Sequence, residues 1–319
     1  MTNHARADLD EAVLITGATS GLGEKLARRL AKAGRTVVVG GRRTEAVFDL
    51  CRFIDKNTTG RAVPLLADLA DLAALQNAIE GLPQGSLRGI VANAGTTTRK
   101  DERTAEGFEL MFGVNVLAHQ FLLCTLAPRV IDGGRIVILS SGTHDPDNKL
   151  ARRFNVPVPR WIGTEALARP DSVSDERRLE LGAIRYSTSK LANVLQARGL
   201  QLALREAGRD VDVFAVDPGL MVDTRLTREM PGRTRAFLKS VGYIITPFVD
   251  NMRLSKTTAA YIERLLLGDE WSGRGFAYLD GLDAREPSPD ARRDDLRDEL
   301  WSESLRLLGI NDTQLVWRG

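Results

Sequence analysis

ITGATSGLGEKLARRL, residues 15–30, sets three glycines between an apolar run and an amphipathic one. The run ending at Ile15 and Thr16 has strand character, and Leu26 and Leu30 mark one side of a helix. Gly17, Gly21 and Gly23 therefore fall in the turn that joins the two. Without Cβ atoms, such a turn lets the backbone approach a pyrophosphate, and the helix behind it offers free N–H groups. A plain strand-to-helix turn that needs positive φ is the alternative reading. The spacing is G-x-x-x-G-x-G rather than the usual dinucleotide G-x-G-x-x-G. Thr19, Ser20 and Leu22 lie within the loop and join the glycines as candidate cofactor contacts.

Beyond this turn, short β-branched or aliphatic runs recur: AVLIT (12–16), TVVVG (36–40), AVPLL (62–66), GIVAN (89–93), RIVIL (135–139), VDVFAV (211–216) and GFAYL (275–279). Segments with helical spacing fill the intervals. Such alternation builds βαβ units, hence a parallel sheet covered on both faces. With a glycine cluster after the first run, the expected fold is α/β, a Rossmann-type doubly wound parallel sheet of about seven strands with helices on both faces. One domain is expected over residues 1–319, with a substrate-pocket insertion at 142–184, a substrate-lid segment at 220–254 and a helical tail at 285–319.

Composition narrows the functional classes. The 319 residues hold 44 basic and 42 acidic side chains, a formal charge of +2, so nothing asks for nucleic acid or an anionic membrane as a partner. Cys51 and Cys124 sit in apolar helical patterns and read as small buried hydrophobes rather than a disulfide. The first twelve residues are polar, and no later stretch reads as a membrane span, so a soluble, cytoplasmic protein is expected. His4, His119 and His144 show no metal-ligand spacing; His144, three residues after Ser141, either edges a pocket or is a loop histidine, and the loop reading is preferred.

Further motifs follow in order. GIVANAG supplies Asn93, Ala94 and Gly95; GFELMFGVNVLAH supplies Asn115; GGRIVILSSG ends in Ser140 and Ser141. YSTSK gives Tyr186 and Lys190, and VDPGLMVDT gives Pro218, Gly219 and Thr224. Together with the glycine turn, this series resembles the short-chain dehydrogenase/reductase family over residues 11 to 280, with retinol-dehydrogenase-like and carbonyl-reductase-like features. Ala92 replaces the family's first Asn after strand 4, and one extra residue separates Gly219 from Thr224. The resemblance implies that Asn115, Ser141, Tyr186 and Lys190 are catalytic. It also implies that Lys190 binds the nicotinamide ribose, that Pro218 and Gly219 flank the nicotinamide, and that the Asn115 carbonyl places a water linking Lys190 to solvent. Ser140 reads as a hydroxyl bonding adjacent backbone.

Physical chemistry bears on YSTSK independently. Residues i and i+4 on a helix lie about 5–6 Å apart. A positive charge at that distance stabilises a phenolate by roughly 2.8 kcal/mol at an effective dielectric near 20. Tyr186 is thus expected to be acidified by roughly two pH units and to donate a proton near neutrality. Ser187, Thr188 and Ser189 are small enough to leave room for cofactor and substrate.

Cofactor choice turns on TVVVGGRRTEA, which presents Arg42 and Arg43 where NAD selection needs an acid. An arginine fork suits a 2′-phosphate, so NADP(H) is expected, with carbonyl reduction as the working direction. Asp68 matches the family's adenine-contacting acid, and Leu69 follows it. Ser141 and Tyr186 are 45 positions apart, and the insertion between them carries Phe154, Val156, Val158, Trp161, Ile162 and Leu167. After Gly219 come Met230, Phe237, Leu238, Tyr243 and Phe248. Two apolar covers suggest a bulky, lipophilic ketone or aldehyde; the other reading is that these side chains pack the insertion onto the body.

Two further readings stand beside this one. A non-catalytic NADP-sensing regulator is possible on the same fold, and DPGLMVDT also resembles light-dependent protochlorophyllide reductases, whose cysteine after Pro-Gly is here Leu220. In the tail, Leu296, Leu300, Trp301, Leu305 and Leu308 give an amphipathic helix that caps the subunit or packs on a neighbour. Monomer and homodimer both remain open.

Overall fold

A computed structural model of the chain describes residues 8–171, 178–221 and 252–311. Strands β1 (Leu9–Ile15), β2 (Thr36–Gly41), β3 (Arg61–Leu66), β4 (Gly85–Ala92), β5 (Val130–Leu139), β6 (Val211–Asp217), β9 (Phe276–Asp280) and β10 (Asp283–Arg285) form one sheet in the order β10-β9-β6-β5-β4-β1-β2-β3. All neighbours are parallel except β10, which runs antiparallel to β9. A separate parallel pair joins β7 (Leu220–Met221) to β8 (Met252–Arg253). The seven apolar runs of the sequence are the seven parallel strands. The eighth, Asp-Ala-Arg, is short and fully exposed, so it carries no apolar signal.

Burial on both faces explains why the central runs are continuously apolar, whereas β3, at the sheet edge, buries only Leu65. Val13 and Ile15 enter one core cluster and Leu14 the other, as the period-2 geometry of a strand requires. One face is covered by α1 (Gly21–Lys32), α2 (Thr44–Asn57) and α8 (Ser255–Leu267). The opposite face is covered by α3 (Leu72–Glu80), α4 (Leu110–Arg129), α7 (Arg178–Glu206) and the C-terminal helices α9 (Pro289–Arg292) and α10 (Asp294–Leu307). Strand order reverses between β1 and β4, which opens a crevice at their C-terminal ends.

α4 corrects one sequence expectation. Its 20 residues are long and apolar enough to cross a membrane, yet 78% of the apolar window is buried inside the protein. It is a core helix. Within it Gly113–Leu117 winds as a π-turn, the kind of bulge that releases a backbone carbonyl from the regular ladder.

A buried arginine fastens α8. Arg135, on β5 and 0% exposed, donates to the carbonyls of Leu265 and Gly268 and to Ser272 Oγ. Its guanidinium lies 3.9 Å from Asp212, whose carboxylate also accepts the N–H groups of Gly273 and Gly275. These contacts satisfy carbonyls that a helix C-terminus otherwise leaves orphaned.

The tail caps the subunit. A Cβ at Gly199 would lie 2.7 Å from the Trp301 ring, so α10 packs on α7 where only glycine fits. Arg198 on α7 donates to the carbonyls of Ala291 and Arg293. Glu299 on α10 accepts from Trp161 Nε1 at 2.9 Å and from Thr164 N at 2.7 Å, which ties the tail to the insertion. In that insertion α5 (Lys149–Arg153) and α6 (Thr164–Ala168) are short helices. Trp161 and Leu167 pack against the core, whereas Phe154, Val158 and Ile162 are exposed. Its apolar side chains are therefore divided between core and surface.

Candidate active site

The glycine turn forms a cradle between β1 and β4. Thr16 Oγ1 accepts N–H groups of Asn93 and Ala94, both at 2.9 Å, and Asn93 Nδ2 donates to Thr16 O at 2.7 Å. These bonds zip the two strand ends together. Gly17 has φ +65°, and a Cβ at Gly23 would lie 2.4 Å from Gly17 O. Ser20 is the N-cap of α1 with no side-chain capping bond, so the first turn presents its N–H groups outward. Thr19 lies against Gly41 at the end of β2, and Leu22 is buried beneath the turn. This cradle fits a dinucleotide pyrophosphate.

At the rim, Arg42 is 72% exposed and stands 3.7 Å from the Asp68 carboxylate. Arg43, also exposed, precedes α2 as its N-cap. Asp68 Oδ1 accepts Ala70 N at 3.0 Å, and Leu69 packs on the core. Opposite them, Pro218 is buried, and Gly219, with φ +75°, donates its N–H to Asp217 Oδ1 at 2.9 Å. Thr224 and most of the lid segment, residues 222–251, lie outside the described residues.

The chemistry gathers where β5, β6, α4 and α7 meet. The Ser141 side chain accepts Thr143 N and acts on the Tyr186 phenol, favouring its ionised form. Ser140 turns inward and donates to Lys190 O at 2.8 Å. Lys190 Nζ lies 5.8 Å from the Tyr186 ring centroid, as helical spacing requires, and donates to Leu139 O at 3.0 Å and Asn193 Oδ1 at 3.1 Å. Gly95 borders this group, since a Cβ there would lie 3.9 Å from Nζ and 3.5 Å from Asn115 Oδ1. Asn115 pins Thr96 through both amide ends and donates to Ser189 Oγ.

Two expectations about YSTSK need correction. Burial raises the Tyr186 phenol to about 12, with the Asp217 carboxylate adding to the rise and the Ser141 side chain opposing it. Lys190 does not reverse this, because burial brings its own ammonium down to about 8, against the upward pull of Asp217. Desolvation outweighs the lysine–phenol attraction on which the sequence argument relied. The three small residues also leave no open space. Thr188 Oγ1 accepts Arg160 N from the insertion, Ser189 Oγ donates to Tyr186 O, and Ser187 is wholly buried.

Asn193, His119 and Asp217 escaped the sequence reading, and His144 was read as a loop histidine in preference to a pocket-edge residue. Asn193 Nδ2 donates to the Asn115 carbonyl at 2.8 Å while its Oδ1 accepts from Lys190. Its position one helical turn beyond Lys190 was the available signal. His119 is buried between Asn115 O (3.2 Å) and Thr16 Oγ1 (2.9 Å), and burial brings it down to about 4. His144 is buried rather than a loop residue: Nδ1 meets Ser141 O at 2.7 Å, Nε2 accepts Ser288 N, and the ring stands edge-on to Tyr278. Asp217 is buried at the end of β6, where its charge acts on Tyr186, Lys190 and His144.

Comparison with known proteins agrees with this geometry. Residues 11–149 match the family model for short chain dehydrogenase. The chain is similar to mouse polyprenol dehydrogenase, 31% identical over 93% of this chain and 83% of that protein. It is also similar to mouse retinol dehydrogenase 13, 30% identical over 94% and 84% respectively. In fold it resembles L-sorbose reductase from Gluconobacter frateurii, solved with NADPH and L-sorbose, at a TM-score of 0.59 and 20% identity over 86% of this chain and 97% of that one. Its glycine cradle, its Ser-Tyr-Lys group and its relatives place the chain in the short-chain dehydrogenase/reductase family, among the retinol-dehydrogenase-like members.

Proposed function

We propose that the protein is an NADP(H)-dependent reductase of a ketone or aldehyde on a bulky, lipophilic substrate, with Tyr186 as general acid. The observation that carries this reading is the Tyr186 phenol, one helical turn from Lys190 and acted on by the Ser141 side chain. A phenol raised to about 12 stays protonated throughout the neutral range, so it is a loaded proton donor. The bound nicotinamide supplies or removes the hydride. Ser141 orients the carbonyl oxygen beside the phenol, and Tyr186 gives its proton to that oxygen as negative charge develops there. Lys190, charged below about 8, then stabilises the phenolate left behind.

Arg42 and Arg43 support NADP(H): both are exposed at the end of β2, where an acid is needed to hold a ribose 2′-hydroxyl. Lipophilic substrates are supported by the exposed Phe154, Val158 and Ile162 on the insertion and by relatives named for retinol and polyprenol. The test is a series of aldehydes and ketones of rising chain length, followed by loss of NADPH absorbance with NADH in parallel. NADPH preference and rates that climb with chain length are expected. Preference for NADH removes the arginine argument, and faster turnover of polar sugars removes the lipophilic one.

A further inference from the structure

We propose that Asn193 is a positioning residue for Lys190, its amide standing between the lysine ammonium and the Asn115 carbonyl in the place that the motif reading gives to a water. This deepens the proposed function, since it concerns how the same lysine is held. Lys190 Nζ donates to Asn193 Oδ1 at 3.1 Å, and Asn193 Nδ2 donates to Asn115 O at 2.8 Å. The amide has one permitted orientation: a carbonyl only accepts and an ammonium only donates, so the NH2 end faces Asn115 and the oxygen faces Lys190.

Asn115 O is also closed from its other side. Thr16 Oγ1 already accepts two N–H groups, from Asn93 and Ala94, so His119 Nε2 at 2.9 Å can only accept from it, and the Thr16 proton goes there in preference to the longer contact with Val91 O at 3.5 Å. His119 therefore carries its hydrogen on Nδ1 and donates it to Asn115 O at 3.2 Å. Two side-chain donors thus take the two lone pairs of that carbonyl. A water reaches it only by displacing one of them. Among the described residues Leu139 O and Asn193 Oδ1 hold two of the three ammonium hydrogens, which leaves the third for the crevice beside Gly95. The charged or titratable groups around Nζ are Asp217 from β6, His119 from α4 and Tyr186 on α7.

The test is an NMR titration of the lysine side chains in the full-length protein, with Lys190→Met to identify the Lys190 signal, in Asn193→Ala and Asn193→Asp. Losing an acceptor from the charged ammonium is expected to lower the Lys190 midpoint by about one pH unit, and Asn193→Asp is expected to raise it by a similar amount. A residue that merely fills space gives no such opposite pair. Midpoints that stay within about 0.3 pH units of the parent in both variants, or that move in the same direction, overturn the proposal. Circular dichroism checks folding, and should Asn193→Ala not fold, the upward movement in Asn193→Asp alone decides. No substrate or cofactor is needed, so absence of turnover would sink the proposed function and leave this result standing.

Discussion

Lys190 and Arg42 are two cations of one candidate crevice, held in opposite ways. Lys190 is 6% exposed, bonded to two oxygens, and its proton affinity is set by burial against Asp217. Arg42 is 72% exposed and has a carboxylate 3.7 Å away, an arrangement typically worth no more than about 1 kcal/mol. Burial makes the first cation's position and charge sensitive to each neighbour. Exposure leaves the second free to swing onto an incoming anion at small cost. The interior of the site is therefore fixed by packing and the rim by whatever binds there.

Breaking the buried side should have the largest consequences. Tyr186→Phe removes the proton donor and is expected to lower kcat by about 10²–10⁴-fold with folding unchanged, measured by turnover and by thermal melting. Retained turnover ends the mechanistic reading. Arg135→Met tests burial without chemistry: it leaves the Asp212 carboxylate buried without its cation and strips the end of α8, for an expected loss of about 3–5 kcal/mol in denaturant melts. A change below about 1 kcal/mol would mean that water relieves the site.

His119 supplies the pH test. Its folded value is lowered from 6.5 to about 4, so between those values the unfolded chain binds the extra proton. Stability must then fall as pH drops through that window, by up to about 3 kcal/mol in all. His119→Asn should flatten the slope of melting midpoint against pH, and an unaltered slope assigns the loss to other groups. The exposed rim should respond least. Arg42→Ala is expected to raise KM for NADPH about tenfold and leave KM for NADH unchanged. Equal effects on both cofactors would remove Arg42 from 2′-phosphate recognition.

The buried and exposed regions also differ in how legible they were in the sequence. Central parallel strands buried on both faces are continuously apolar and stood out, edge strand β3 was readable from its aliphatic run although only Leu65 in it is buried, and the glycines were readable because a backbone cradle tolerates no Cβ. β10, a polar edge triplet, left no such trace. Within the site, Tyr186 and Lys190 were visible as a helical pair, but their proton affinities were not. Those depend on desolvation and on Asp217, which arrives from a strand whose residues lie more than twenty positions away in sequence. His119 was invisible as a site residue, and His144 was visible only as a neighbour of the serine, for a similar reason. Each owes its role to partners on distant segments, Thr16 for one and Ser288 for the other.

That last contact reaches from catalysis into architecture. His144 clasps the backbone of Ser141 with one nitrogen and the start of α9 with the other, which makes the C-terminal stretch a keystone rather than an appendage. An enzyme clipped after Pro287 would keep every strand of its sheet and the whole glycine cradle, yet the wall behind its serine would be unbraced.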